Sequence, residues 1–157
     1  SLSILRPRSI LSGARTRRPS IPSYDQRGHG PVIRAAAWNL AAAIALGAFG
    51  AHGLKGRISE QGMEWFKTGH SYHMWVAVAW LAVALLAPSR LPHRAVGGLI
   101  LAGTLFFSGS LYTMAITEIR ILGAITPIGG VIWIGTFLWL GTILGKRSDE
   151  DRERGTP

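Results

Sequence analysis

Four long apolar blocks, each free of Asp, Glu, Lys and Arg, alternate with short polar stretches along this chain. The first two, AAAWNLAAAIALGAFGA at 35–51 and SYHMWVAVAWLAVALLA at 71–87, lie near the lower length limit for a helix crossing the roughly 30 Å of bilayer hydrocarbon. Val32 and Ile33 extend the first, with Arg34 snorkelling, and Pro88 ends the second. The blocks at 95–116 and 121–144 are longer. Runs of this length without a charge occur only in membrane spans or fully buried helices. The pattern therefore predicts an all-α integral membrane four-helix bundle over 32–145. A basic extension of irregular structure (1–31) precedes it and a charged tail (146–157) follows.

Because lipid supplies little hydrophobic drive between helices, small residues that let backbones approach are expected at the contacts. Ala43, Gly47 and Ala51 form such a ridge in the first block, with Gly50 beside it, and the third has Gly98 and Ala102, then Gly109 between Ser108 and Ser110. The fourth has Gly129, Gly130, Gly141 and Gly145. Its Thr126-Pro127-Ile128-Gly129-Gly130 stretch predicts a kink, since proline removes a helical N–H and crowds the preceding turn.

Charge tests the span count independently. Seven Arg up to Arg34, Arg90 and Arg94 in the second loop, and Lys146, Arg147, Arg152 and Arg154 in the tail all fall on one side of a four-span topology. Lys55, Arg57, Lys67 and Arg120 fall on the other. The excess of basic residues places both termini in the matrix or cytoplasm. Within 1–31, Arg6, Arg8, Arg15, Arg17, Arg18 and Arg27 face a single acid, Asp25, among several Ser and Pro, with no apolar run of the secretory type. That composition fits a mitochondrial targeting segment. The chain starts at Ser1 without an initiator Met, as a processed or partial product does. Such an extension cannot bury a core of its own, so these arginines are expected to anchor it on acidic protein surfaces or lipid phosphates.

Composition narrows the chemistry. The absence of Cys excludes disulfides, thiolate metal sites and a Cys nucleophile. The net charge of +9 sits at the ends and loops, not in a stripe, so nucleic acid is not an expected partner. His52, His70 and His73 fall at or near the ends of the first two blocks, where they are read as interfacial hydrogen-bonding groups. The spacing of His70 and His73 is compatible with metal ligation, but no HExxH-type motif accompanies it, and no metal or cofactor is assigned. Ser108 and Ser110 have no His or Asp in their own helix to activate them. Five Trp (Trp65, Trp75, Trp80, Trp133, Trp139) suit interfacial belts or helix packing.

The ordered stretches LGAFGAHGLKGRIS, WFKTGHSYHMW, FSGSLY and GAITPIGGVIW resemble the hallmarks of a small four-helix membrane family of unknown function, DUF423. That family includes transmembrane protein 256 and its bacterial relatives. The resemblance spans about residues 36–144 and implies an inner-membrane protein with no established activity. After Thr68-Gly69 the family usually reads Tyr-Gln-Met-Tyr-His, whereas this chain has Tyr72-His73-Met74-Trp75-Val76. The expected function is a non-catalytic accessory or structural subunit of a mitochondrial inner-membrane assembly, a respiratory-chain complex or supercomplex. Its partners are then membrane lipids and other subunits, with no small-molecule substrate identified. The alternatives are a small transporter-like protein, or a quinone- or haem-binding protein using His52 and His73.

Overall fold

The computed structural model describes residues 30–88 and 91–155. Its helices are α1 (Gly30–His52), α2 (Glu60–Leu86), α3 (His93–Thr104), α4 (Ser110–Thr117) and α5 (Thr126–Arg154). A π-helical turn, Leu105–Gly109, joins α3 to α4, and a 3-10 turn, Arg120–Ala124, precedes α5. Four stretches among the described residues are long and apolar enough to cross a membrane: Gly30–His52, Glu60–Leu86, His93–Thr117 and Arg120–Lys146. The molecule is an all-α membrane bundle. The arginines expected to anchor the extension, Arg6, Arg8, Arg15, Arg17, Arg18 and Arg27, lie outside the described residues.

The second helix starts eleven residues before the apolar block that announces it. Ser59 sets that start: its Oγ accepts from the Gly62 amide at 3.0 Å, and Glu60 occupies the first turn, where the helix dipole favours an acid. From there Gly62, Phe66, Gly69, His73, Val76, Trp80 and Ala84 are buried at spacings of three and four, so one stripe of α2 faces the bundle throughout. Its C-terminus falls before Pro88, as the proline requires.

In the third span, Ile100 O accepts from both Thr104 Oγ1 (2.9 Å) and Trp133 Nε1 (3.2 Å), directly ahead of the π turn. Extra donors entering a helical ladder are a recognised cause of such local widening. The span ends at Glu118, which adopts a left-handed φ of 58° and donates its amide to Met114 O at 2.8 Å.

The kink expected at Pro127 is absent, because Pro127 lies in the first turn of α5, where it has no helical partner to lose. The break comes earlier, at the 3-10 turn. Instead of ending near 144, α5 continues to Arg154 through a charged segment.

α1 packs chiefly on α2, α2 on α4, and α5 on α3 and the π turn. One apolar cluster joins Ala36, Trp80, Val96, Ile100, Trp133 and Leu140, and a smaller one at the other end joins Leu54, Phe66 and Ala115.

Candidate functional site

Aromatic and imidazole rings, set against glycines, make the helix contacts. Gly47 has no side chain to block the His70 ring; a Cβ there would meet His70 Nε2 at 2.5 Å. The imidazole thereby reaches into α1 and donates to Ala43 O at 3.1 Å. One turn away Phe66 occupies the equivalent place over Gly50. Gly129 abuts the Phe107 backbone, and Gly130 touches the Phe107 ring. Two further glycines the sequence reading missed belong to this set, Gly97 beneath Trp80 and Gly103 beneath Trp133, while Gly69 meets Leu111.

Several expected packing residues lie elsewhere. Ala51 is exposed, Ala102 is half-buried, and Gly109 meets Leu105 of its own span. Gly98, Gly141 and Gly145 have nothing within 4 Å of a Cβ, so none of them makes a close helix contact. Spacing alone identified small residues but not which helix face they occupy.

The histidines also differ from their expected places. His52 is exposed at the end of α1, but His70 and His73 lie well inside α2, because that helix begins at Glu60. His73 is only 5% exposed and holds a polar seam across three helices. Its Nε2 is 3.3 Å from Asn39 Oδ1 on α1, and its Nδ1 is 3.3 Å from the Tyr112 hydroxyl on α4. These partners fit a neutral imidazole that donates from Nε2 to the amide oxygen and accepts the phenol proton at Nδ1. Asn39 Nδ2 and Ser108 Oγ, like Trp80 Nε1 elsewhere in the bundle, are buried without a protein hydrogen-bond partner.

Sequence reading passed over Asn39 and Tyr112. Asn39 had a signal: it is the one asparagine of the chain, set in an otherwise apolar block.

This geometry restricts the chemistry. Both His73 nitrogens are engaged, and His70 Nε2 is committed to Ala43 O, so neither ring offers a vacant nitrogen pair for shared coordination. Among the described residues no group of three His, Asp or Glu is placed to hold a metal. Ser110 bonds Phe107 O and Thr126 Oγ1, both at 2.8 Å, without a base beside it. The seam thus specifies helix register by directional bonds in an apolar setting.

Residues 46–130 match the family described as "Protein of unknown function (DUF423)". The chain is 45% identical over 89 residues to the UPF0382 membrane protein YwdK of Bacillus subtilis, covering 55% of this chain and 72% of that one. It is 43% identical over 89 residues to the UPF0382 membrane protein SERP0230 of Staphylococcus epidermidis, covering 56% and 73%. A UPF0382 membrane protein of Haemophilus influenzae is 39% identical over 81 residues, covering 50% and 64%. No solved structure matches the chain. His70, His73 and Tyr112 fall inside the matched region, and Asn39 falls outside it.

Proposed function

The chain belongs to the DUF423 family of membrane proteins, and from that premise we propose that it is a non-catalytic accessory or structural subunit of a mitochondrial inner-membrane assembly, a respiratory-chain complex or supercomplex. The observation carrying this reading is the outer face of α5. Val131, Ile134, Leu138, Gly141 and Gly145 recur at spacings of three and four, and all are exposed. Large apolar residues followed by two open glycines are what an approaching transmembrane helix packs against. The arginine-rich, acid-poor composition of 1–31 supports the mitochondrial compartment.

Copurification tests it: the tagged full chain, solubilised from inner membranes in mild detergent, should migrate on native gels with a large assembly. A Gly141→Leu/Gly145→Leu variant should shift to the free form. Migration of the unaltered chain at its own size with no partner would overturn the proposal.

An aromatic groove of about 620 Å³ between α2 and α5, lined by Tyr72, Phe107, Trp133 and Phe137, favours a second reading as a quinone-binding membrane protein. Saturable quenching of tryptophan emission by a short-chain quinone, lost in Gly130→Leu, tests that reading.

A further inference from the structure

The basic end of the bundle holds a crevice of about 260 Å³ between the starts of α1 and α3, with Pro31 and Ala35 on one wall and Arg94, Gly98 and Leu101 on the other. Trp80 and Gly97 line its inner part. We propose that this crevice is a binding site for an anionic glycerophospholipid of the adjoining leaflet.

Three features argue for that occupant. Charge comes first. Arg94 is exposed in the first turn of α3, and no side chain caps that helix; the ring of Pro92, at the cap position, has no acceptor to offer. A guanidinium beside an uncapped helix N-terminus complements a phosphodiester, since both present N–H donors and positive potential. Arg34, exposed in α1 at the same end, adds to the field.

A hydrogen-bond donor comes second. Trp80 is 2% exposed, yet its Nε1 has no protein partner. The indole edge lies along Gly97, where a Cβ would stand 3.3 Å from Nε1. A buried indole N–H ordinarily finds an acceptor. A glycerol ester carbonyl of the bound lipid is to supply it, which requires a small shift at the Gly97 edge to uncover Nε1.

Shape is the third feature. Nothing approaches within 4 Å of a Cβ at Gly98, so the wall beside Arg94 stays open, and exposed Leu101 continues it towards the hydrocarbon as a track for an acyl chain. Phosphate at Arg94, ester at Trp80 and chain along Leu101 follow the order of groups in a phospholipid. The site is independent of the α5 face and of the aromatic groove.

Native mass spectrometry of the full chain in detergent tests it, with dioleoyl phosphatidylglycerol, dioleoyl phosphatidylcholine and inorganic phosphate as probes. Phosphatidylglycerol should be retained in preference to phosphatidylcholine. Arg94→Gln should weaken phosphatidylglycerol about fivefold, the effect of one basic side chain at a membrane surface. Gly98→Leu, which fills the crevice without meeting a neighbour, should abolish the preference, and Trp80→Phe should weaken both lipids. Equal retention of the two lipids overturns the proposal, as does phosphatidylglycerol binding unchanged in both Arg94→Gln and Gly98→Leu. Displacement by inorganic phosphate at matched concentration would assign the site to a free anion instead. Loss of selectivity on deleting residues 1–29 alone would assign it to the extension.

Discussion

His73 concentrates the molecule's internal polarity, because one imidazole joins α1, α2 and α4 through Asn39 and Tyr112. Replacing it with Leu leaves the Asn39 amide oxygen and the Tyr112 hydroxyl without their partner, and buried groups so orphaned cost about 1–3 kcal/mol each. Tyr112→Phe removes one bond and orphans only Nδ1, nearer the average of about 0.6 kcal/mol for hydrogen bonds between membrane helices. Unfolding in mixed micelles should therefore rank His73→Leu well below Tyr112→Phe in stability; equal losses would mean that the seam is not held by these bonds. Gly47 has a comparable role by default of bulk. Gly47→Leu must expel the His70 ring and break its bond to Ala43 O, whereas His52→Gln alters an exposed helix end. Thermal denaturation in detergent should show a large loss for the first and almost none for the second.

At the scale of elements, the existence of four spans was legible because uncharged runs of that length have few other solutions, and the boundaries were less so. The run beginning at Ser71 announces the apolar part of α2, yet the helix itself is fixed by Ser59, whose signal is a hydroxyl and a following acid amid polar residues. That difference moved His70 and His73 from an expected interface to the interior, and so hid the seam. Pro127 was misread for a related reason: its effect depends on whether it falls inside a helix or in its first turn, and the intervening 3-10 turn carries no strong sequence mark. Ser59→Ala should cost about 1 kcal/mol, the usual loss for a helix cap. Hydrogen exchange should localise the loosening to the turns around Gly62 and Phe66. Glu118 offers the opposite case. Its left-handed backbone is strained for any residue with a side chain, so Glu118→Gly should raise stability by about 1 kcal/mol. A decrease in the melting temperature of that variant would show that the glutamate side chain compensates for its backbone.

For the whole molecule, charge and the open surfaces lead to one arrangement in the membrane. Four spans return the chain to its starting side, and the loop between α2 and α3 lies on that side too, so the start of α1, Arg94 and the end of α5 share a face. In the proposed inner-membrane setting, the positive-inside rule predicts that this face is the matrix one, and the phospholipid crevice opens towards the leaflet on that side. Protease added to mitochondria with only the outer membrane opened should spare tags at both ends; cleavage of either reverses the orientation. The proposal that the extension anchors the protein on neighbouring subunits is tested separately. Its sequence carries Pro7, Pro19 and Pro22, and fixing each residue of such a segment costs about 1–2 kcal/mol of backbone entropy. Contacts with other molecules must offset that cost if the segment is to hold a fixed path. Deleting the residues before Pro31, with an unrelated targeting signal supplied, should leave insertion of the bundle intact, since its apolar clusters begin at Val32. On native gels the shortened chain should separate from the larger assembly. If it still comigrates in full, the α5 face alone holds the protein in place and the arginines have no anchoring role.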